Sequence, residues 1–239
     1  MFCGRGRIVF MKNFQKMSRK DLTFFCLMSI LAGVMIGMAG TASLISNNLL
    51  GKSGRAMGAI LFSLGIFVII TYGMRLFTGM VSELPKLGVK NYWQLAVCFL
   101  CNAIGVLIVA VLVYHTHLKD IVVPQAQAVI APKLGADKWA ISSFCSSILC
   151  GILITVSVWS ANHAPRKALS ASVGVIFPII MFAFCGFDHS VANMLYFFYL
   201  KEFSWRVIGY VLLSIVGNII GGLVLPLVMQ IKENDNKNQ

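Results

Sequence analysis

Residues 185–190 read Cys-Gly-Phe-Asp-His-Ser and place ionisable side chains inside an otherwise apolar part of the chain. The run 168–187 contains no Asp, Glu, Lys or Arg, and the run 189–200 contains none either. A membrane-spanning helix needs about 20 mostly apolar residues. The first run therefore predicts a membrane helix that breaks just after Gly186. The second run is too short to cross a membrane by itself.

Charge-free runs of this kind dominate the whole chain of 239 residues. Apolar residues make up 58% of the chain and charged residues only 12%, whereas a soluble domain is usually about 25% charged. The mean hydropathy is +0.83, and the continuous apolar runs favour helices over the alternating strands of a membrane barrel. Six runs are long enough to span a membrane: 22–51, 56–74, 91–118, 139–165, 168–187 and 207–231.

The second half of the chain repeats the pattern of the first. The middle run of the first half ends at Arg75, just after Gly73, and the middle run of the second half ends at Asp188, just after Gly186. Three spans in each half give the two halves opposite orientations, and inverted repeats with matching broken helices point to a transport site near the membrane centre. We therefore predict an all-α membrane protein with six transmembrane helices in an inverted 3+3 repeat. Two ordinary glycine kinks are the alternative.

Basic residues predict the orientation and the domain boundaries. Twelve of the 20 Lys and Arg residues fall on the side of the amino terminus and seven on the other side, which places both termini in the cytoplasm. The expected parts are a basic tail (1–21), a six-span domain (22–231) made of two repeats (22–118 and 139–231), and a short tail (232–239). The net charge of +12 indicates topology and contact with membrane lipids rather than binding of nucleic acid.

The candidate functional residues lie at the two breaks. His189 carries an imidazole whose unperturbed pKa is near 6.5, and an ionisable group inside a membrane is functional by default. A neutral histidine bonded to backbone is the alternative. Thr78, in the first break, offers a hydroxyl group to His189 or to a substrate. Asp188 and Arg75 are charges at membrane depth that pair with each other or reach the surface, unless Arg75 pairs with Glu83.

Further candidates lie around the breaks. Lys138 precedes the fourth span on the outer side, where a cation at a pore mouth would concentrate anions. The alternative is an ordinary interfacial lysine next to Trp139. Phe62, Phe77 and Phe182 lie near the breaks and either form dry constrictions that hydrated ions do not pass or simply fill the core.

No cofactor or metal ion is expected. The chain has no Gly-rich phosphate loop and no Gly-x-Ser-x-Gly motif. Cys98 and Cys101 lie inside an apolar run without a second cysteine pair, which indicates core packing. An intramembrane serine protease is disfavoured because Ser190 lacks a Gly-x-Ser-Gly context. A water or glycerol channel is disfavoured because the Asn-Pro-Ala pair is absent at both breaks.

Three strings resemble the formate/nitrite transporter family. They are Leu-Phe-Thr-Gly at 76–79, Gly-Phe-Asp-His-Ser-Val-Ala-Asn-Met at 186–194, and Val-Gly-Asn-Ile-Ile-Gly-Gly at 216–222. The resemblance implies an aquaporin-like fold and a homopentamer in which each protomer has its own pore. It also implies passage of small monovalent anions of weak acids across a bacterial cytoplasmic membrane. Formate and nitrite are the first candidates, and hydrosulfide is the alternative within the family.

The resemblance also assigns roles to individual residues. His189 matches the central pore histidine, Thr78 the threonine that faces it, Lys138 the outer-loop lysine, and Asn218 a polar residue of the last span. Asp188 takes a position where glutamate is common. The constriction residues implied are Phe62 and Phe182 on the outer side, and Phe77 and Ile66 on the inner side.

The implied mechanism is neutralisation of the anion inside the pore. An anion alone would pay a heavy desolvation cost between two apolar constrictions. A proton from His189, or one relayed through water near it, would let the neutral acid cross, so that flux is coupled to protons. The implied role is transport and not catalysis. Arg75 departs from the family pattern and either changes selectivity or faces another subunit.

Overall fold

A computed structural model describes residues 17–87, 91–163 and 169–235, and these residues form helices and short turns without a β-strand. The predicted all-α class is therefore confirmed. The helices are α1 (Arg19–Leu50), α2 (Gly54–Thr71), α3 (Phe77–Val81), α4 (Leu84–Leu87), α5 (Trp93–Tyr114), α6 (Lys119–Gly135), α7 (Trp139–His163), α8 (Leu169–Cys185), α9 (Ser190–Leu200) and α10 (Trp205–Asp235). A 3₁₀ turn, Gly51–Ser53, joins α1 to α2.

The described residues contain four helical segments that are long and apolar enough to cross a membrane. They are Arg19–Thr71, which includes both α1 and α2, Trp93–Tyr114, Trp139–Asn162 and Trp205–Ile231. The pair Ser172–Cys185 and Ser190–Leu200 passes the same test as one unit bent by 45°. Large apolar side chains on these helices remain exposed, whereas polar residues such as Ser29 and Ser147 are fully buried. This distribution is typical of a surface that faces lipid or other subunits.

Both helix breaks lie where the sequence predicts them. Helix α2 ends before Gly73, which has φ 64°, and α8 ends before Gly186, which has φ 73°. Positive φ strains residues that have a Cβ atom, so a glycine at each place lets the chain leave the helix sharply. The chain re-enters a helix at Phe77 after the first break and at Ser190 after the second.

Two helix crossings bring backbones into direct contact. A Cβ atom at Gly105 of α5 would overlap the carbonyl oxygen of Ile30 on α1, and one at Gly221 of α10 would overlap the carbonyl oxygen of Ile148 on α7. Small residues allow such close approach between membrane helices. The crossings fix α5 against α1 and α10 against α7, which sets the positions of the residues that hold the breaks.

The helices that follow the breaks pack against the other half of the chain. Helix α3 lies against α7 and α10, α9 lies against α5 and α6, and α2 packs on α8. Helix α6 is a 17-residue helix between the two halves that contains Pro124 and Pro132. The charge-free runs do not predict it, because it is too polar and too interrupted to resemble a span.

Replacing Gly221 by alanine should separate α10 from α7. Overpacking of a filled contact costs roughly 1–3 kcal/mol, so we expect a clear fall in the midpoint of thermal unfolding of the purified protein in detergent. Gly135→Ala is the matched control, since a Cβ atom at Gly135 meets nothing within 4 Å. Equal unfolding midpoints for both variants would contradict the described crossing.

Several charges behind the predicted orientation lie outside the described residues. They are the tail up to residue 16, Lys90 in the 88–90 segment, Arg166 and Lys167 in the 164–168 segment, and the last residues, 236–239. The domain boundaries and the cytoplasmic placement of the termini therefore stay predictions.

Candidate transport site

His189 joins the two breaks. It is buried and caps the amino end of α9, because its Nδ1 accepts a hydrogen bond from the backbone N–H of Ala192 at 3.0 Å. Its Nε2 lies 2.9 Å from the Oγ1 of Thr78, which belongs to α3 in the other half of the chain. The sequence placed these two residues at matching breaks, and the structure brings their side chains into contact.

The cap fixes the tautomer of the His189 ring. An Nδ1 atom that accepts a hydrogen bond carries no hydrogen, so the neutral ring carries its hydrogen on Nε2. Nε2–H then donates to the Oγ1 of Thr78. The Thr78 hydroxyl hydrogen consequently points away from the imidazole and is able to donate to a second group.

Aromatic rings cover His189 on one side. The ring of Phe182 stacks on the imidazole with centroids 5.9 Å apart, and Phe62 meets Phe182 edge-on at 5.7 Å. Phe77 precedes Thr78 in α3 and packs edge-on against Phe99 at 5.2 Å. Ile66 is fully buried in the same apolar core. The structure thus places Phe62 and Phe182 together beside His189, in the lining of one cavity, whereas Phe77 does not line that cavity.

Asp188 is a buried carboxylate with three partners on one oxygen. Its Oδ1 accepts from the Nζ of Lys133 at 2.5 Å, from the Nδ2 of Asn193 at 3.2 Å, and from the hydroxyl of Tyr210. Lys133 also donates to the carbonyl of Gly186 at 3.0 Å. Lys133 of α6 therefore neutralises the Asp188 carboxylate, which does not pair with Arg75.

Asn218 of α10 holds the backbone of the second break. Its Oδ1 accepts from the N–H of Ser190 at 2.9 Å. Its Nδ2 donates to the carbonyl of Asp188 at 2.9 Å and to the carbonyl of Ser147 at 2.8 Å. The amide is fully buried, so its role here is to fix the loop that carries His189.

A cavity of about 660 Å³ opens above His189. Phe62, Phe182 and His189 line it together with three cations, Lys52, Arg55 and Lys133. Arg55 also donates through Nε to the carbonyl of Phe184 at 2.6 Å, at the carboxyl end of α8. The described lining residues include no Asp or Glu, so the cavity presents positive charge above the aromatic pair.

Lys133, and not Lys138, is the lysine at the second break. Lys138 is exposed in the turn before α7. Arg75 is half-buried in the first break, where its carbonyl accepts from the Nδ2 of Asn102 at 2.8 Å. The structure therefore brings together His189, Thr78, Asp188 and Asn218 of the predicted residues, and it leaves Lys138 on the surface.

Sequence reasoning missed three residues of this site. Lys133 and Arg55 were used only as positive charges in predicting the membrane orientation, because nothing in the linear sequence shows that α6 folds over the second break. Tyr210 lies in an apolar run and gave no signal. The repeated Asn-x-x-Gly spacing of 102–105 and 218–221 is a signal that could have identified the amides that hold the breaks.

An apolar helical bundle with two broken helices meeting at a buried polar pair defines a membrane transport protein. The family model described as "Formate/nitrite transporter" matches residues 9–231. This chain therefore belongs to the formate/nitrite transporter family. The relatives it matches are channels and transporters and not enzymes.

Relatives and solved structures agree with this assignment. The chain is 26% identical to the formate channel FocA of Escherichia coli K12, over 90% of this chain and 88% of that protein. It is 27% identical to the nitrite transporter NirC of Salmonella typhimurium, over 87% and 82%. It is 29% identical to the uncharacterized transporter YrhG of Bacillus subtilis, over 73% and 70%.

Two solved structures share the fold. An FNT family ion channel matches with a TM-score of 0.75 at 22% identity, over 90% of this chain and 91% of that one. A pentameric formate channel with formate bound matches with a TM-score of 0.74 at 19% identity, over 93% and 100%.

Proposed function

We propose that this protein is a channel for small monovalent anions of weak acids, with formate and nitrite as its substrates, and that passage is coupled to protons. The observation that carries the proposal is the contact of His189 with Thr78 across the two breaks, beneath a cavity lined by cations. The relatives named formate channel and nitrite transporter support the same substrate class.

The charges of the cavity account for anion entry. Lys52 and Arg55 lie at an opening whose described lining carries no acid, and the ammonium group of Lys133, paired with Asp188 behind it, also lines the opening. A cleft of one charge sign concentrates ions of the other sign. The edge-on rings of Phe62 and Phe182 then offer little compensation for lost water. An anion that stays charged is held above the rings, whereas a neutral acid passes them.

The tautomer of His189 bears on the source of the proton. A neutral imidazole that donated its Nε2 hydrogen would become an imidazolate, which is unfavourable. We therefore assign the proton to water in the cavity: hydronium transfers a proton to the anion, which leaves as the neutral acid, and water remains. His189 orients Thr78, whose hydroxyl donates to an acid oxygen during passage.

The proposed assembly has six spans in two inverted halves, in a homopentamer with one pore per protomer. Glycine contacts support the division of Arg19–Thr71 into two spans, since Gly54 lies against Ser46 while Gly65 lies against Ala39. Residue numbers rise along α2 as they fall along α1, so the two helices are antiparallel. The solved relative titled a pentameric channel supports the assembly. We place it in a bacterial cytoplasmic membrane with both termini inside.

Uptake into proteoliposomes tests the proposal. We expect stopped-flow traces to show rapid formate and nitrite uptake that rises from about pH 7.5 to about pH 5.5, relative to protein-free liposomes at the same pH. Hydrosulfide and lactate, run in parallel, rank the substrates. Glycerol uptake, or no uptake of any monovalent anion above the liposome background, would refute the proposed function.

A further inference from the structure

Asn102 holds the first break with three hydrogen bonds. Its Oδ1 accepts from the backbone N–H of Phe77 at 2.8 Å. Its Nδ2 donates to the carbonyl of Arg75 at 2.8 Å and to the carbonyl of Ser29 at 2.7 Å. The side chain is fully buried on α5. One amide thus ties together the start of α3, the break itself and α1.

The same three bonds occur at the second break. Asn218 accepts from the N–H of Ser190, two residues after Asp188, and donates to the Asp188 carbonyl. Asn102 does the same for Phe77 and Arg75. The third bond in each case reaches a serine carbonyl on the first helix of that half, Ser29 or Ser147. The two amides are therefore structural equivalents, although only one of them lies beside His189.

We infer that Asn102 is a positioning residue of the pore, which sets the width of the passage between Thr78 and His189 by fixing Phe77 and Thr78. Phe77 is the first residue of α3, and Thr78 follows it directly. The bond from the Phe77 N–H is the one that fixes where α3 begins. Without it, the five-residue helix loses its anchor to α5 and Thr78 loses its position opposite His189.

The chemistry requires a group that both donates and accepts. Alanine would leave the Phe77 N–H without a partner in a buried site, and an unpaired buried donor is costly. A carboxyl group in its protonated form also has one acceptor oxygen and one donor hydroxyl. The carboxyl group of Asn102→Asp would accept from the Phe77 N–H in either form. When protonated it would keep one of the two donated bonds to the Arg75 and Ser29 carbonyls, and when ionised it would keep neither, so the clamp should be weakened at low pH and weakened further when the group ionises.

The test measures selectivity instead of rate alone, and it rests on the proposed function. Formate and lactate uptake are compared at about pH 5.5 and about pH 7.5 in proteoliposomes that contain equal amounts of intact protein. For Asn102→Ala we expect the lactate-to-formate ratio to rise about tenfold, the factor that one lost buried hydrogen bond supports. For Asn102→Asp we expect a ratio between those of the wild type and Asn102→Ala at the lower pH, because one donated bond is lost, and a ratio that rises further once the carboxyl group ionises.

Gln94→Leu is the matched control. Gln94 is also a fully buried amide on α5, two turns before Asn102, and its side-chain atoms have no hydrogen-bond partner among the described residues. It should leave the ratio unchanged. A wild-type ratio for Asn102→Ala, or a ratio for Asn102→Asp that is the same as wild type at both pH values, would overturn the inference.

Two failures are distinguishable. If wild-type protein passes no anion, the proposed function fails, whatever Asn102 does. If the wild type conducts and the Asn102 variants keep its selectivity, only the positioning role fails. Should Asn102→Ala not yield intact protein, the ratio of Asn102→Asp relative to that of the wild type decides the question by itself.

Discussion

Replacing Lys133 by methionine is expected to destabilise the protein strongly and to reduce anion uptake. Lys133 is the cation bonded to Asp188, whose side chain is only 5% exposed. Removing one partner of a buried ion pair leaves an uncompensated charge and costs about 3–5 kcal/mol. The loss of a cation from the cavity should also reduce formate uptake at about pH 7.5 by roughly tenfold.

A double variant separates these two effects. Lys133→Met with Asp188→Asn removes both charges, so most of the stability should return. Uptake should stay below that of the wild type, because Lys133 lines the cavity and Asp188 does not. Unfolding midpoints in detergent measure the first effect, and uptake at equal amounts of intact protein measures the second. If the double variant unfolds as readily as Lys133→Met alone, the ion pair does not explain the stability.

Lys138→Met is the control that decides between the two lysines. Lys138 is exposed, and surface substitutions usually change stability by less than about 0.5 kcal/mol. We expect wild-type stability and uptake. A loss of uptake as large as that of Lys133→Met would favour the role that the family resemblance assigned to Lys138.

The breaks were predictable because their signals are local. A glycine followed by a charge inside an apolar run is visible in the sequence, and both glycines have positive φ in the structure. The contact of His189 with Thr78 was predictable as well, because a repeated sequence pattern with matching breaks is expected to bring the two break positions together. The contact between these two side chains therefore followed from the pattern of the sequence.

The surroundings of Asp188 were not predictable in the same way. Its main partner, Lys133, lies on α6, a helix with two prolines whose path over the second break depends on tertiary packing. A count of charges treats Lys133 and Lys138 alike, although only five positions separate them. Tertiary contacts, rather than local pattern, decide which of the two is drawn inward.

The equivalence of Asn102 and Asn218 was predictable only in part. Each asparagine precedes by three residues the glycine that packs on the first helix of its half, Gly105 or Gly221. The spacing was visible in the sequence. Its meaning was not visible, because the backbone groups that a buried amide bonds are known only when the positions of the two breaks are known.

Replacing His189 by asparagine is expected to remove most of the pH dependence of formate uptake. Asparagine is a good amino-terminal cap for a helix, so it should still accept from the Ala192 N–H and keep α9 in place. It would not provide the Nε2–H that orients Thr78. We expect the selection for the neutral acid to weaken and charged formate to leak through.

The ratio of uptake at about pH 5.5 to uptake at about pH 7.5 measures this change. Between these values the protonated fraction of an acid with a pKa below both changes about 100-fold, while the anion concentration stays nearly constant. Uptake of the neutral acid therefore follows pH steeply, and an anion leak does not. A ratio near one, accompanied by a formate current across a planar bilayer, is the expected result for His189→Asn.

Thr78→Val should move the ratio in the same direction, because the valine side chain has a similar shape and lacks the hydroxyl. If both variants keep the wild-type ratio and carry no current, the pair His189–Thr78 is a packing contact and the pH dependence arises in the cavity above it.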